Sequence, residues 1–104
     1  MMLFQASVKA VRGSFKHLSE DDIAMPPHQW FDAALARQIA LHVLVTRFDV
    51  PKNRIVAELN RSKLAVKRAM EAVEARLRNQ AFSETYETIV EETKTQIAGG
   101  QRHD

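Results

Sequence analysis

The chain has 104 residues, 45% apolar and 27% charged, with a net charge of +2, which suits one small domain with a single core and excludes wholesale disorder. It contains no cysteine, so a disulfide framework and a thiolate zinc site are ruled out and a reducing compartment fits. The opening "MMLFQASVKAVRG" holds no apolar run long enough for a signal peptide and no later stretch is long enough to span a bilayer, so the expected protein is cytoplasmic and has no membrane partner.

The apolar period is helical throughout and no stretch alternates at period two, which predicts an all-α bundle of five to six helices. Phe4, Val8, Val11, Phe15 and Leu18 form the first stripe, and Gly13 is where that helix stops or bends. Ser19 is the expected N-cap of a short helix, with Glu20, Asp21 and Asp22 in its first turn, where acids suit the helix dipole. Met25-Pro26-Pro27 then breaks the chain. From Gln29 to about Arg47 runs a long helix carrying Phe31, Leu35, Ile39, Val43 and Leu44. Its apolar arc is wide, the pattern of a central, most buried element.

Asp49-Val50-Pro51 ends that helix and places Pro51 in the first turn of the next, which runs to about Leu59 and buries Ile55, Val56 and Leu59. Asn60-Arg61 is a tight connection. Ser62 is the N-cap of a further helix with the stripe Val66, Ala69, Met70, Val73 and Leu77. Asn79 to Ala81 reads as a break, followed by a last helix from about Ser83 to Ile97 that carries Tyr86, Ile89, Val90, Thr93 and Ile97. The expected organisation is therefore a single helical domain over 1–97, a helix-turn-helix at 52–78 within it, and a disordered tail at 98–104.

Charge is distributed unevenly. Lys52, Arg54, Arg61, Lys63, Lys67 and Arg68 crowd one third of the chain, opposed there only by Glu58, while acids collect in "SEDD" at Ser19 to Asp22 and along Glu84 to Glu92. A short helix, a tight turn and a second basic helix fit the helix-turn-helix, whose second helix lies in the major groove of DNA. With Val66, Met70 and Val73 turned inward, Lys63 and Lys67 fall one turn apart on the open face, beside Arg68. Long cations there reach phosphates or guanine acceptors, and the N–H groups beyond Ser62 suit a phosphate. The plainer reading of the same face is a solvated basic surface.

Other chemistry is poorly represented. His17, His28, His42 and His103 show no metal-ligand spacing, and His42, inside the long helix, is expected to be a partly buried structural residue. There is no glycine-rich phosphate loop and no nucleophile–base pair, so neither an enzyme, a cofactor nor a small-molecule substrate is expected. Trp30 and Phe31 are adjacent, so only one of them can enter the core from one helix face; the other is free to cover the N-terminal segment or meet a partner.

These stretches together resemble the C-terminal DNA-binding domain of the bacterial replication initiator DnaA, a helix-turn-helix domain related in shape to the Trp repressor. "VKAVRGSFKHLSEDDI" resembles that domain's opening helix and its short "S-x-E-D-L" helix, and "ARQIALHV" is similar to its "ARQIAM" start. "FDVPKNRIVAEL" resembles "LSLPEIGEAF", "NRSKLAVKRAMEAVEARL" follows the frame "GGRDHTTVxxAxxKIxxL" with one residue fewer in the turn, and "AFSETYETIVEETK" is similar to the terminal helix. In the family's "R-D-H-T-T-V" signature Arg61 and Val66 are kept and Ser62 can cap as the Asp does. Lys63, Leu64 and Ala65 replace the His and both Thr, and the family's basic loop is replaced by "AMPPHQWFDAAL". Leu64 and Ala65 can touch a thymine methyl but cannot hydrogen-bond a base.

The resemblance implies a stand-alone, divergent relative without the ATPase module: a DNA-binding regulator of transcription or replication. Its expected contacts to double-stranded DNA are Lys52, Arg54, Arg61, Ser62, Lys63, Leu64, Lys67 and Arg68. The alternative is a protein–protein module that keeps the fold and meets a second copy or another partner through the Trp30 region.

Overall fold

A computed structural model describes residues 2–26 and 31–101, the last two as backbone alone. These residues form six α-helices and no strand: α1 Met2–Arg12, α2 Glu20–Ala24, α3 Phe31–Arg47, α4 Lys52–Leu59, α5 Lys63–Arg76 and α6 Gln80–Gln101. α1 packs against α3 and α6, and α3 also meets α2 and α5, so α3 runs through the middle of the bundle.

The first stripe behaves as its spacing predicts. Phe4, Val8 and Val11 are buried on α1, and the helix ends before Gly13, whose N–H donates to the Ala10 carbonyl at 3.2 Å. Arg12 then reaches across the turn, its Nε donating to the Leu18 carbonyl at 3.1 Å, which holds Leu18 in the core. α2 begins with a reciprocal cap: the Asp22 N–H donates to Ser19 Oγ at 3.0 Å and the Ser19 N–H to Asp22 Oδ2 at 3.1 Å. Ile23, fully buried, anchors this short helix.

α3 buries Ala33, Ala36, Ile39, Ala40, Leu41, Val43 and Leu44, almost all the way round. One expected core residue departs. Phe31 is 67% exposed, and the buried face of α3 opens two residues later at Ala33. On one side the ring meets Arg76 of α5, whose guanidinium carbon lies 5.5 Å from its centroid. Trp30, the other member of that aromatic pair, lies outside the described residues, as do His28 and the expected helical start at Gln29.

His42 is a more complete structural residue than its position alone implies. It is buried at 3% exposure, with Nδ1 2.5 Å from the Tyr86 hydroxyl of α6 and Nε2 3.0 Å from Glu74 Oε1 of α5. An ionised Glu74 can only accept, so Nε2–H donates to it, and Nδ1 shares the second hydrogen bond with the Tyr86 hydroxyl. Burial raises the Tyr86 pKa, opposed by its hydrogen bond to Thr46, so the phenol stays protonated. One imidazole thus ties three helices together.

The end of the chain differs from expectation at two points. α6 begins at Gln80, because Asn79 is a helix cap: its Oδ1 accepts from the Phe82 N–H at 3.0 Å. The break therefore lies at Leu77–Asn79 rather than at Asn79–Ala81. The helix also continues to Gln101, so the tail expected over 98–104 is helical through Gln101, and residues 102–104 lie outside the described part. Once Tyr86, Ile89, Val90 and Thr93 fasten the helix to the core, each further residue adds a hydrogen bond without a new nucleation cost.

Candidate nucleic-acid interface

The α4–α5 connection is built by local backbone chemistry. Pro51 precedes α4 in an extended conformation, and the Val50 N–H donates back to the Leu44 carbonyl at 3.0 Å, fastening the α3–α4 corner. Asn60 ends α4 in the left-handed region at φ 52°, ψ 46°, which asparagine tolerates better than most residues. The Arg61 N–H donates to the Val56 carbonyl at 3.3 Å. Ser62 then caps α5, its Oγ accepting from the Ala65 N–H at 3.0 Å. Three residues, Asn60 to Ser62, turn the chain.

α5 is seated on α3 by Val66, Ala69, Met70 and Val73, all buried. Its opposite face carries Lys63, Leu64, Lys67 and Arg68, all exposed. Leu64 is 53% exposed, an apolar group held in water between cations. None of Lys63, Lys67 and Arg68 makes an ion pair with the described residues. Ser62 stands at the N-terminus of this face, and Lys52, also exposed, at the start of α4.

Two of the expected contacts are placed differently from the rest. Arg54 is held by Glu58 one turn along α4, Nε to Oε2 at 2.6 Å, with both side chains about half exposed. Such a pair adds little stability and exchanges easily, but it halves the free charge of α4. Arg61 does not stand on the open face of α5. It is half-buried, with Nε enclosed and without a hydrogen-bond partner among the described residues, in a cleft that it shares with Arg37 of α3.

Arg37 was not among the expected contacts. Its sequence signal is a lone cation inside the most apolar helix, with no other basic residue within a turn of it. Burial, and secondarily the charge of Arg61, push the Arg37 guanidinium down to about 10. The cations nearest the turn therefore fall in two places: an open row on α5, and a recessed pair between α3 and the turn.

Among the described residues there is no group of acids and histidines arranged to hold a metal ion, and no helix long and apolar enough to cross a membrane. Compared with known proteins, the chain matches no family model, no curated protein and no solved structure.

Proposed function

We propose that this chain binds double-stranded DNA, using α4, the turn and α5 as a helix-turn-helix with α5 laid in the major groove. The observation that carries the reading is the outer face of α5, where Lys63, Lys67 and Arg68 are exposed and unpaired among the described residues while the inner face is fastened to α3. A rigidly seated helix with free cations on its open side meets phosphates without first breaking internal ion pairs. Lys63, nearest the capped N-terminus, is best placed for a base edge, and Leu64 for a thymine methyl. Lys52 sits where a flanking phosphate would pass, and Arg54 joins it by exchanging Glu58 for the backbone. The sequence resemblance to the replication initiator's DNA-binding domain supports the same role, with a target different from that family's because the His-Thr-Thr positions read Lys63, Leu64 and Ala65.

The test is fluorescence anisotropy with labelled duplexes over a salt series. About five phosphate contacts give a log–log slope of roughly −4.5. Replacing Lys63 and Lys67 together by Glu abolishes binding; unchanged affinity in that variant sinks the proposal.

A second reading, an interaction module that meets another protein, is favoured by two exposed apolar residues. Met25 and Phe31, at 82% and 67% exposure, flank the Pro27–Trp30 stretch. Light scattering on the wild type and on Phe31→Ala discriminates: a dimer that dissociates in the variant supports this reading, and a monomer in both removes the homodimer.

A further inference from the structure

Arg37 lies in the middle of the most buried helix, next to Ala36 and two residues before Ile39, both closed to solvent. Its guanidinium carbon is held 5.8 Å above the Phe4 ring of α1, which fixes the side chain in one direction. No carboxylate of the described residues pairs with it, and its enclosed Nε has no hydrogen-bond partner among them. The Nε of Arg61 is in the same condition, and both arginines line one cleft of about 860 Å³ between α3 and the turn after α4. Enclosed donors are ordinarily satisfied, and like charges ordinarily avoid each other. Here two arginines on two elements line one space without a carboxylate partner among the described residues, and burial, with the charge of Arg61 second, depresses the Arg37 pKa.

We propose that this cleft binds a small phosphorylated ligand, with Arg37 and Arg61 jointly holding its phosphoryl group. The other described walls are largely apolar, with Phe4, Met25, Pro26 and Leu59 among them. Glu58 is the one carboxylate among the described lining residues, and it is engaged by Arg54 at 2.6 Å. A phosphate monoester brings nearly two negative charges at neutral pH and several acceptor oxygens, which answers two guanidinium forks; a carboxylate brings a single charge. A ligand of mononucleotide size can place its phosphoryl group at the arginines and its body against the apolar wall. The apolar walls favour a molecule with an organic body beside its phosphoryl group over the bare backbone of a duplex. The site shares the α4–α5 turn with the DNA reading but not its open cations, since Lys63, Lys67 and Arg68 do not line it.

The experiment titrates the full chain with adenosine 5′-monophosphate and with inorganic phosphate, by calorimetry and thermal melting, against sodium chloride of matched ionic strength. The monophosphate binds one to one and raises the melting midpoint by about 4 °C or more at tenfold the half-saturating concentration. Its affinity increases from pH 5 to pH 7 as the phosphate loses its second proton near about pH 6. Arg37→Met and Arg61→Met, on different elements, each weaken it about 10- to 100-fold. Arg37→Lys, which keeps the charge and loses the fork, falls between. The double variant Lys63→Gln/Lys67→Gln loses the duplex and keeps the monophosphate, so failure of the DNA reading is told apart from failure of this one. The proposal is overturned if neither phosphate exceeds the chloride control or if binding survives both Met variants. It is equally overturned if Arg37→Met costs duplex affinity while no small phosphate binds the wild type, because the arginines then serve the duplex backbone alone.

Discussion

Two polar side chains on the same helix, His42 and Arg37, meet opposite fates. His42 is closed to solvent, and both ring nitrogens have partners, Tyr86 on α6 and Glu74 on α5. Arg37 is half-buried, and its enclosed Nε has no partner among the described residues, only the repelling charge of Arg61 nearby. A completed hydrogen-bond set makes a buried polar group a fastener, because removing it leaves its partners unsatisfied. An incomplete set makes it a cost to the fold, and a group of that kind is a candidate for an external ligand.

The sharpest way to break this comparison is His42→Ala. It opens a cavity among α3, α5 and α6 and leaves the Tyr86 hydroxyl without its imidazole, so urea unfolding should show a loss of about 3 kcal/mol. A loss below about 1 kcal/mol would mean that the network is decorative. Next comes a polar group that is satisfied but exposed. Ser62→Ala removes the cap of α5 and should cost about 1 kcal/mol in the same assay. If α5 binds a duplex as proposed, the variant also weakens that binding, because the cap at the start of the helix that carries Lys63 is lost.

A smaller effect is expected from the surface pair Arg47–Glu87, which meets at 2.7 Å. Its hydrogen bond to Arg47 lowers the Glu87 carboxyl below its ordinary value. The folded state therefore gains from the ionised form: the contribution is complete above the ordinary carboxyl range and fades as pH falls through the lowered value. Being largely exposed, the pair should add no more than about 0.5 kcal/mol. The difference in stability between wild type and Glu87→Gln, measured from pH 7 down to pH 3, should shrink toward zero at the acid end.

Smallest of all is Arg37→Met in phosphate-free buffer. The stem over Phe4 is retained and a desolvated, repelled charge is removed, so stability should hold or rise by about 0.3 kcal/mol at most. A loss larger than that of Ser62→Ala would show that Arg37 is a fastener after all, and the contrast with His42 would disappear.

The basic residues divide in a similar way. Lys63, Lys67 and Arg68 were legible from the stripe alone, because Val66, Met70 and Val73 point inward and leave them outside by helical geometry. Arg54 and Glu58 are four apart on one helix, so their pairing follows from the same geometry. Arg61 was not legible in this sense. It belongs to a turn, and a turn residue's direction depends on the left-handed Asn60 and on what α3 presents beneath it. Arg37 was hidden for the reverse reason: its helix was evident, but which side of a nearly all-apolar helix meets the turn was not.

By itself the sequence determined the helices, the Ser19 and Ser62 caps, the stop at Gly13, the corner at Pro51 and the open cations of α5. All of these rest on contacts within a few residues, where periodicity and capping chemistry decide. Tertiary structure alone decided the exposure of Phe31, the fastening of three helices by His42, the extension of α6 to Gln101, and the meeting of Arg37 with Arg61. Each of these depends on which helix lies against which. Partners far apart along the chain leave no local period in the sequence to announce them.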